Sequence, residues 1–158
     1  MSAIEFQCLE GLPSADMLAG IVKINQEIFA FSETTETAIR FFREHQEVLV
    51  CVALQDGQPV GFKIGFEQSP GVFESCRGGV IETARRQGIA MELMRVQHQW
   101  CAENGYKVIQ TTTNGDNQSM LILNLRSGFE VVGSFLNARR RVKILQEKWL
   151  GRRPDLET

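Results

Sequence analysis

Residues 79–90 constrain the fold of this chain more than any other segment. Val80 and Ile81 are β-branched and indicate the end of a strand, and from Gly88 onward the apolar residues have the spacing of a helix. A strand that turns tightly into a helix leaves the first N–H groups of the helix without internal acceptors. These groups and the positive end of the helix dipole favour a bound anion, so the segment predicts a phosphate site.

Two arginines, Arg85 and Arg86, precede this helix. A solvated helix start is the ordinary interpretation of such residues. However, a cation near the first turn is unfavourable for the helix dipole, so a bound anion accounts better for the pair. The small residues Gly88 and Ala90 would keep side chains away from that anion.

The rest of the chain predicts alternating strands and helices in one mixed α/β domain. Of its 158 residues, 43% are hydrophobic and 23% are charged, which is typical of a globular protein. Strands are predicted over 4–9, 48–54, 59–67, 72–81, 108–113, 129–136 and 140–150, and helices over 14–28, 36–45, 88–104 and 117–128. We therefore expect a single domain over 1–150 and a short C-terminal tail over 151–158.

Composition and spacing argue against several other classes. The longest apolar runs are far shorter than the roughly 20 residues of a membrane span, and no signal-like segment begins the chain, so a cytoplasmic location without membrane contact is expected. The four cysteines and two histidines lack metal-site spacing, and no metal is predicted. A net charge of -2 argues against a nucleic-acid partner. The arginines at 139–141 indicate a solvated turn, with an interaction surface as the alternative.

Segment 79–90 resembles the coenzyme A pyrophosphate signature of the GNAT superfamily of N-acetyltransferases. That signature is Arg or Gln, two residues, Gly, one residue, then Gly or Ala. The matching residues here are Arg85, Gly88 and Ala90. A second family pattern is matched downstream by Asn117, Met120, Leu123, Gly128 and Phe129.

The resemblance covers nearly the whole chain and implies an α/β (α+β) fold. Its centre would be a mixed, mostly antiparallel sheet of six or seven strands, flanked by about four helices. The implied function is N-acetyl transfer from acetyl-CoA, as cosubstrate, directly to a primary amine of a small molecule or peptide. The alternative is a catalytically weak or inactive module that binds acyl-CoA. Many relatives pair through terminal strands, so the sequence also permits a homodimer.

The resemblance assigns acetyl-CoA binding to the loop and to two asparagines. In the family, backbone N–H groups of this loop hold the pyrophosphate, and the preceding strand aligns the pantetheine arm. The cofactor-binding residues that it implies are Gly79, Val80, Ile81, Arg85, Arg86, Gln87, Gly88, Ile89, Ala90, Asn117 and Asn124. Asn117 is equally well explained as a helix cap, and both roles are compatible.

One departure from the family concerns the general acid. Many members have a tyrosine seven residues after the conserved Asn, where it protonates the departing thiolate, but here that position is Asn124. An amide cannot serve as an acid at neutral pH. We expect Asn124 to hydrogen-bond the sulfur or the pantetheine, and water or the acceptor to supply the proton.

A general base is also needed, because an amine of pKa near 10.4 is neutral only about once in 2,500 molecules at pH 7. Glu74 is the first candidate, since strand alternation places it on one face with Cys76 and Val80 if no bulge intervenes. A solvent-facing strand residue is the ordinary alternative for Glu74. Glu67 is the second candidate, and Glu82 is expected to face the loop.

Two cysteines raise the alternative of an acyl-enzyme intermediate. Cys76 and Cys101 have no histidine nearby in sequence to activate them, and direct transfer needs no thiolate. We therefore interpret both as buried packing residues.

Overall fold

The computed structural model describes residues 2–29 and 33–153. Within them the chain forms a single domain with seven strands in one sheet and four helices, which confirms the predicted fold. The elements are β1 (Ile4–Glu10), α1 (Ala15–Ile28), α2 (Thr35–Glu44), β2 (Gln46–Gln55), β3 (Gln58–Ser69), β4 (Val72–Val80), a 3-10 turn (Glu82–Ala84), α3 (Ile89–Glu103), β5 (Val108–Asn114), α4 (Gln118–Arg126), β6 (Glu130–Leu136) and β7 (Val142–Trp149). Most of the predicted tail, from residue 154 onward, lies outside the described residues.

Side-chain caps begin the first two helices near the predicted positions. Ser14 accepts a hydrogen bond from the Met17 N–H at 3.3 Å, which begins α1. Thr34 and Thr37 form a reciprocal pair at the start of α2, at 2.9 and 3.1 Å. No helix in the described part of the chain has both the length and the apolar character needed to cross a membrane.

The sheet has the strand order β1-β2-β3-β4-β5-β7-β6 and is antiparallel except for β4 with β5. Helices cover both faces. On one face, α1 and α2 pack on residues such as Val50 and Phe62, and on the other α3 packs on Leu49 and Phe73. Leu49 to Ala53 in β2 are fully buried, because side chains pointing to both faces meet a covering layer.

The sheet opens between its two parallel strands. β4 pairs with β5 only over Val72–Glu74 and Val108–Gln110, although β4 continues to Val80 and β5 to Asn114. A hydrogen bond from the Thr111 hydroxyl to the Ser75 carbonyl, at 2.8 Å, marks the start of the gap. Beyond this point β4 and β5 are not paired with each other, and residues of both strands line a cleft.

A bulge in β4 alters which side chains share a face. Ile64 lies opposite Arg77 and Gly65 lies opposite Ser75, so Cys76 is the extra residue. Val80 then packs with the α3 side of the core, whereas Glu74 lies on the α2 side. The single face predicted for Glu74, Cys76 and Val80 is therefore wrong, since strand alternation is broken between them.

The position of Glu74 follows from its partner in β3. Glu74 is paired with Phe66, and directly paired residues of neighbouring strands project from the same face. The Phe66 ring packs edge-on against Phe41 of α2, with centroids 5.8 Å apart. Glu74 therefore lies on the face covered by α2.

The β6–β7 connection contains the three arginines at 139–141. The backbone N–H groups of Arg139 and Arg141 both donate to Oδ1 of Asn137 at 3.0 Å, which makes this segment a tight turn. The Arg141 side chain lies 3.6 Å from Asp116, and both are exposed. The arginines thus lie on a solvated turn, as the sequence indicates.

Candidate functional site

Two clefts lie side by side at the open part of the sheet. The first, the helix cleft, has a volume of about 360 Å³ and lies between the end of β4, α3 and the start of α4; it includes Val80, Ala90 and Leu123. The second, the strand cleft, has a volume of about 240 Å³ and lies in the gap between β4 and β5; it includes Ser75 and Thr113. The shape therefore offers an elongated ligand a continuous path from α3 into the gap.

The two clefts share part of their lining. The residues common to both are Phe29, Lys63, Gly78, Asn117 and Met120. A molecule in the helix cleft and another in the strand cleft would thus meet at this boundary. The arrangement suits the transfer of a group between two ligands.

The loop before α3 has the geometry of an anion site. Arg86 and Gly88 have positive φ angles of 64° and 74°, which turn the chain tightly into the helix. No side chain caps α3, so the N–H groups of its first turn remain available to a ligand. The Arg85 side chain folds back and donates to the Val80 carbonyl at 3.0 Å. It thereby joins the loop to the end of β4.

The predicted cofactor-binding residues divide into two groups. Those lining the helix cleft are Gly79, Val80, Arg85, Ala90 and Asn117. Those not lining it are Ile81, Arg86, Gln87, Gly88, Ile89 and Asn124. Ile89 has its side chain in the core, so its contribution to a ligand would come from its backbone.

Asn117 combines the two roles considered for it. Its Oδ1 accepts the Met120 N–H at 3.2 Å and so begins α4. It also lines both clefts. The cap holds Asn117 at their boundary, where its amide group can meet a ligand.

Asn124 lies away from both clefts. It is only 1% exposed, and its amide donates to Oε1 of Gln146 at 2.9 Å and to the Thr113 hydroxyl at 3.3 Å. The amide therefore joins α4 to β5 and β7. The structure therefore does not support the predicted contact between Asn124 and the coenzyme A sulfur. The Asn124 amide is bonded to Thr113, and it is Thr113 that lines the strand cleft.

Glu74 has the environment of a poised base. Burial raises the pKa of its carboxyl group to about 7. It is also the last residue of β4 that pairs with β5, immediately before the gap. Glu82, by contrast, is exposed on the 3-10 turn, and Glu67 borders a separate cleft with Tyr106. Glu74 itself lines neither cleft, but it directly precedes Ser75, which lines the strand cleft.

Cys76 and Cys101 lack thiolate character. Burial raises the pKa of Cys76 to about 11 and that of Cys101 to about 12. The Cys76 thiol lines the strand cleft but lies 3.5 Å from the Ile64 carbonyl, which it can donate to. The packing interpretation of both residues fits these surroundings.

Sequence reasoning missed Lys63, which lies at the centre of the site. It is in β3 between Phe62 and Ile64, and only 7% of its surface is exposed. It lines both clefts, and burial lowers its pKa. The available signal was a lysine in the middle of an apolar strand, a place where lysine is rarely found without a special role.

A buried polar group beneath the gap was also missed. The Ser75 hydroxyl donates to Oε1 of Gln97 in α3 at 2.8 Å, while the Ser75 carbonyl accepts from Thr111. Gln97 is fully buried. These bonds fix β4, β5 and α3 where the strands separate, so they hold the gap open. Only the tertiary structure brings these three elements together.

An open sheet with two joined clefts is an architecture that can bring two ligands together for the transfer of a group. The model of the family described as Acetyltransferase (GNAT) family matches residues 18–129. The chain therefore belongs to the GNAT acetyltransferase family, which confirms the resemblance seen in the two motifs.

Three solved structures illustrate the similarity of fold. Ribosomal-protein-S18-alanine N-acetyltransferase from Escherichia coli has a TM-score of 0.77 and 17% identity, over 98% of this chain and 99% of that chain. Ard1 from Thermoplasma volcanium has a TM-score of 0.80 and 19% identity, over 93% and 99%. A NatC complex bound to Gag peptide and CoA has a TM-score of 0.77 and 16% identity, over 94% and 99%. Comparison with curated protein sequences gives no match.

Proposed function

We propose that this chain transfers the acetyl group of acetyl-CoA directly to a primary amine of a small molecule or peptide. The observation that carries the proposal is the boundary between the two clefts, where Lys63, Gly78 and Asn117 line both. Acetyl-CoA would occupy the helix cleft, and the amine would enter the strand cleft. Family membership supports acetyl transfer, and the fold is also that of a protein whose structure was determined with CoA.

The loop before α3 would hold the pyrophosphate. Its uncapped N–H groups supply hydrogen bonds and its dipole supplies positive potential. Arg85 adds a cation beside the end of β4. The pantetheine arm would then pass along the backbone of Gly79 and Gly78, which line the helix cleft.

Glu74 would remove the proton from the acceptor ammonium. A carboxyl group of pKa about 7 is half ionised at neutral pH, which suits a base that must both accept and release a proton. Direct transfer is favoured over an acyl-enzyme because Cys76, the thiol in the strand cleft, has a raised pKa. The amine would attack the thioester carbonyl carbon without a covalent intermediate.

The test is acetyl-CoA binding by calorimetry, followed by an amine panel read by coenzyme A release. The panel should contain polyamines, amino acids, aminoglycosides and peptides with free N-termini. Peptides belong in it because two proteins of similar fold are named for, or bound to, protein or peptide partners. Absence of binding at high micromolar acetyl-CoA would end the proposal.

A second candidate is an acyl-CoA-binding module without turnover. It is favoured by Asn124, which stands at the family's tyrosine position and is buried away from the clefts. Saturable acetyl-CoA binding with no coenzyme A release across the whole panel would select it over the enzyme.

The permitted homodimer has a candidate surface in β6. This strand ends the sheet, and its apolar side chains are exposed, with Val131 at 56% and Phe135 at 50%. A second copy could pair with this edge and cover both side chains. Sedimentation of the native chain and of the Phe135→Lys variant tests this, since only the native chain should form dimers.

A further inference from the structure

Lys63 is a buried lysine whose side chain lies at the boundary between the clefts. It lies opposite Gly78 in the pairing of β3 with β4, so no side chain of β4 stands in front of it. A Cβ placed on Gly78 would lie 3.3 Å from Cγ of Lys63. The glycine therefore leaves the space that the lysine stem occupies.

Lys63 differs chemically from the other residues at this boundary. Phe29 and Met120 are apolar, Gly78 has no side chain, and Asn117 carries a neutral amide. Among the described residues that line both clefts, only Lys63 has a side chain with an ionisable group.

No counter-charge accompanies this lysine. Neither cleft is lined by a carboxylate from residues 2–29 or 33–153, and Nζ of Lys63 forms no hydrogen bond or ion pair with these residues. A buried ammonium is normally paired, because loss of hydration is costly. A ligand on which negative charge develops would provide the missing partner.

The other proton donors near the boundary are less suitable. Cys76 and Lys143 line only the strand cleft, and Nζ of Lys143 donates to Oδ1 of Asn114. Arg85 does not lose its proton in proteins. Asn124 is an amide and is bonded to Gln146. The proton that the family's tyrosine would supply must therefore come from elsewhere.

We propose that Lys63 is the general acid that protonates the coenzyme A sulfur as the acetyl group leaves. This role rests on the proposed acetyl transfer. The amine nitrogen forms a bond to the carbonyl carbon as the carbon–sulfur bond breaks, and the sulfur takes the bonding electron pair and a proton from Nζ of Lys63. Glu74 has by then released the proton of the acceptor ammonium to solvent, so it can take up the surplus proton of the new amide nitrogen, and Lys63 regains its proton from solvent.

The lowered pKa of Lys63 fits this role. Burial lowers the pKa of the Lys63 ammonium below its ordinary value, because the charged form is poorly solvated there. An unperturbed surface lysine would be a poorer donor to the sulfur.

The experiment compares the native chain with Lys63→Met and Lys63→Arg, with Lys23→Met on the exposed face of α1 as the matched control. Acetyl-CoA affinity is measured by calorimetry, and kcat is measured from pH 6 to 10 with the best amine of the panel. For Lys63→Met we expect near-native affinity, a fall in kcat of about 100-fold or more, and loss of the decline at high pH. Lys63→Arg keeps the positive charge but cannot lose its proton, so we expect the same fall in kcat and the same loss of the decline at high pH.

Other results would overturn the assignment. A Lys63→Met enzyme with native kcat, or one whose slower rate keeps the native pH profile, excludes an acid role. If Lys63→Met does not fold, a high-pH decline that persists in Lys63→Arg excludes it as well. If the native enzyme is active and any of these results is found, only the role of Lys63 is wrong. If the native protein releases no coenzyme A, both the proposed function and the role of Lys63 are wrong.

Discussion

Asn124 donates its amide to Oε1 of Gln146 at 2.9 Å and so ties α4 to β7 inside the core. Both residues are almost fully buried. We therefore expect Asn124→Ala to lower the free energy of unfolding by about 1–3 kcal/mol, because Gln146 loses its donor. The acetyl-CoA affinity should not change, since Asn124 lines neither cleft.

Urea unfolding and calorimetry on the same variant measure these two effects. Gln99→Ala, which removes an exposed amide from α3, is the control and should change stability by less than about 0.5 kcal/mol. If Asn124→Ala lost acetyl-CoA affinity while its stability stayed unchanged, Asn124 would have to be a coenzyme-binding residue after all.

Gly88 gives a direct test of the anion loop. It has a φ of 74°, and a Cβ added to it would meet no atom within 4 Å; Gly57 in the β2–β3 turn has a φ of 77° and equally open surroundings. Replacing either by Glu should cost about 1–2 kcal/mol of stability through the same backbone strain. Only Gly88→Glu should also abolish acetyl-CoA binding, because its carboxylate would repel the pyrophosphate.

Calorimetry separates the two glutamate variants. Equal acetyl-CoA affinity in Gly88→Glu and Gly57→Glu would show that the loop before α3 does not bind the coenzyme. Loss of binding in both would indicate that backbone strain alone is responsible.

Ionisation of Glu74 should determine how kcat/KM changes with pH on the acidic side of the pH–rate profile. With a pKa of about 7, its carboxyl group is protonated and inactive as a base below that pH, so kcat/KM should rise through pH 7. Glu74→Gln should lower kcat/KM by about 100-fold and remove this limb. The increase caused by deprotonation of the amine itself lies at higher pH and should remain.

Glu67→Gln provides the matched control, because Glu67 borders a different cleft. The pH–rate profile of each variant with the same amine is the measurement. If the limb near pH 7 persists in Glu74→Gln, another group is the base.

Local patterns were sufficient to predict the elements of this fold. The Thr-rich segment before α2 and the Asp56-Gly57 turn are recognisable because their chemistry depends on near neighbours in sequence. The loop before α3 is recognisable for the same reason, since a strand, a tight turn and a helix start adjoin one another. The seven strands and four helices could therefore be predicted from the sequence.

The boundary between the two clefts could not be predicted from the sequence, because it depends on pairing between distant segments. The bulge at Cys76 exists only relative to β3, and it moves Glu74 to the face opposite Val80. Lys63 has space for its side chain because it is paired with Gly78, a residue of the next strand that has no side chain. Asn124 likewise loses access to the cleft through a bond to β7, a partner that its own sequence neighbourhood does not reveal.

His98 makes the stability of the protein depend on pH. Its ring is buried, and burial together with the Lys148 ammonium, 3.0 Å from Nδ1, lowers its pKa from 6.5 to about 3. The unfolded chain therefore binds a proton near pH 6.5 that the folded chain does not bind until about pH 3. Stability should fall as the pH drops below 6.5, by about 1.4 kcal/mol per unit.

The contribution of His98 must be separated from that of Glu74, whose raised pKa acts in the opposite direction between pH 4.5 and 7. The measurement is therefore the difference between the native chain and His98→Gln, which keeps an acceptor for Lys148 but does not titrate. In urea unfolding at pH 7.5 and 5.5, the native chain should lose about 1.4 kcal/mol more than His98→Gln. An equal pH dependence in the two proteins would mean that His98 takes up a proton in the folded state, which its burial beside Lys148 should prevent.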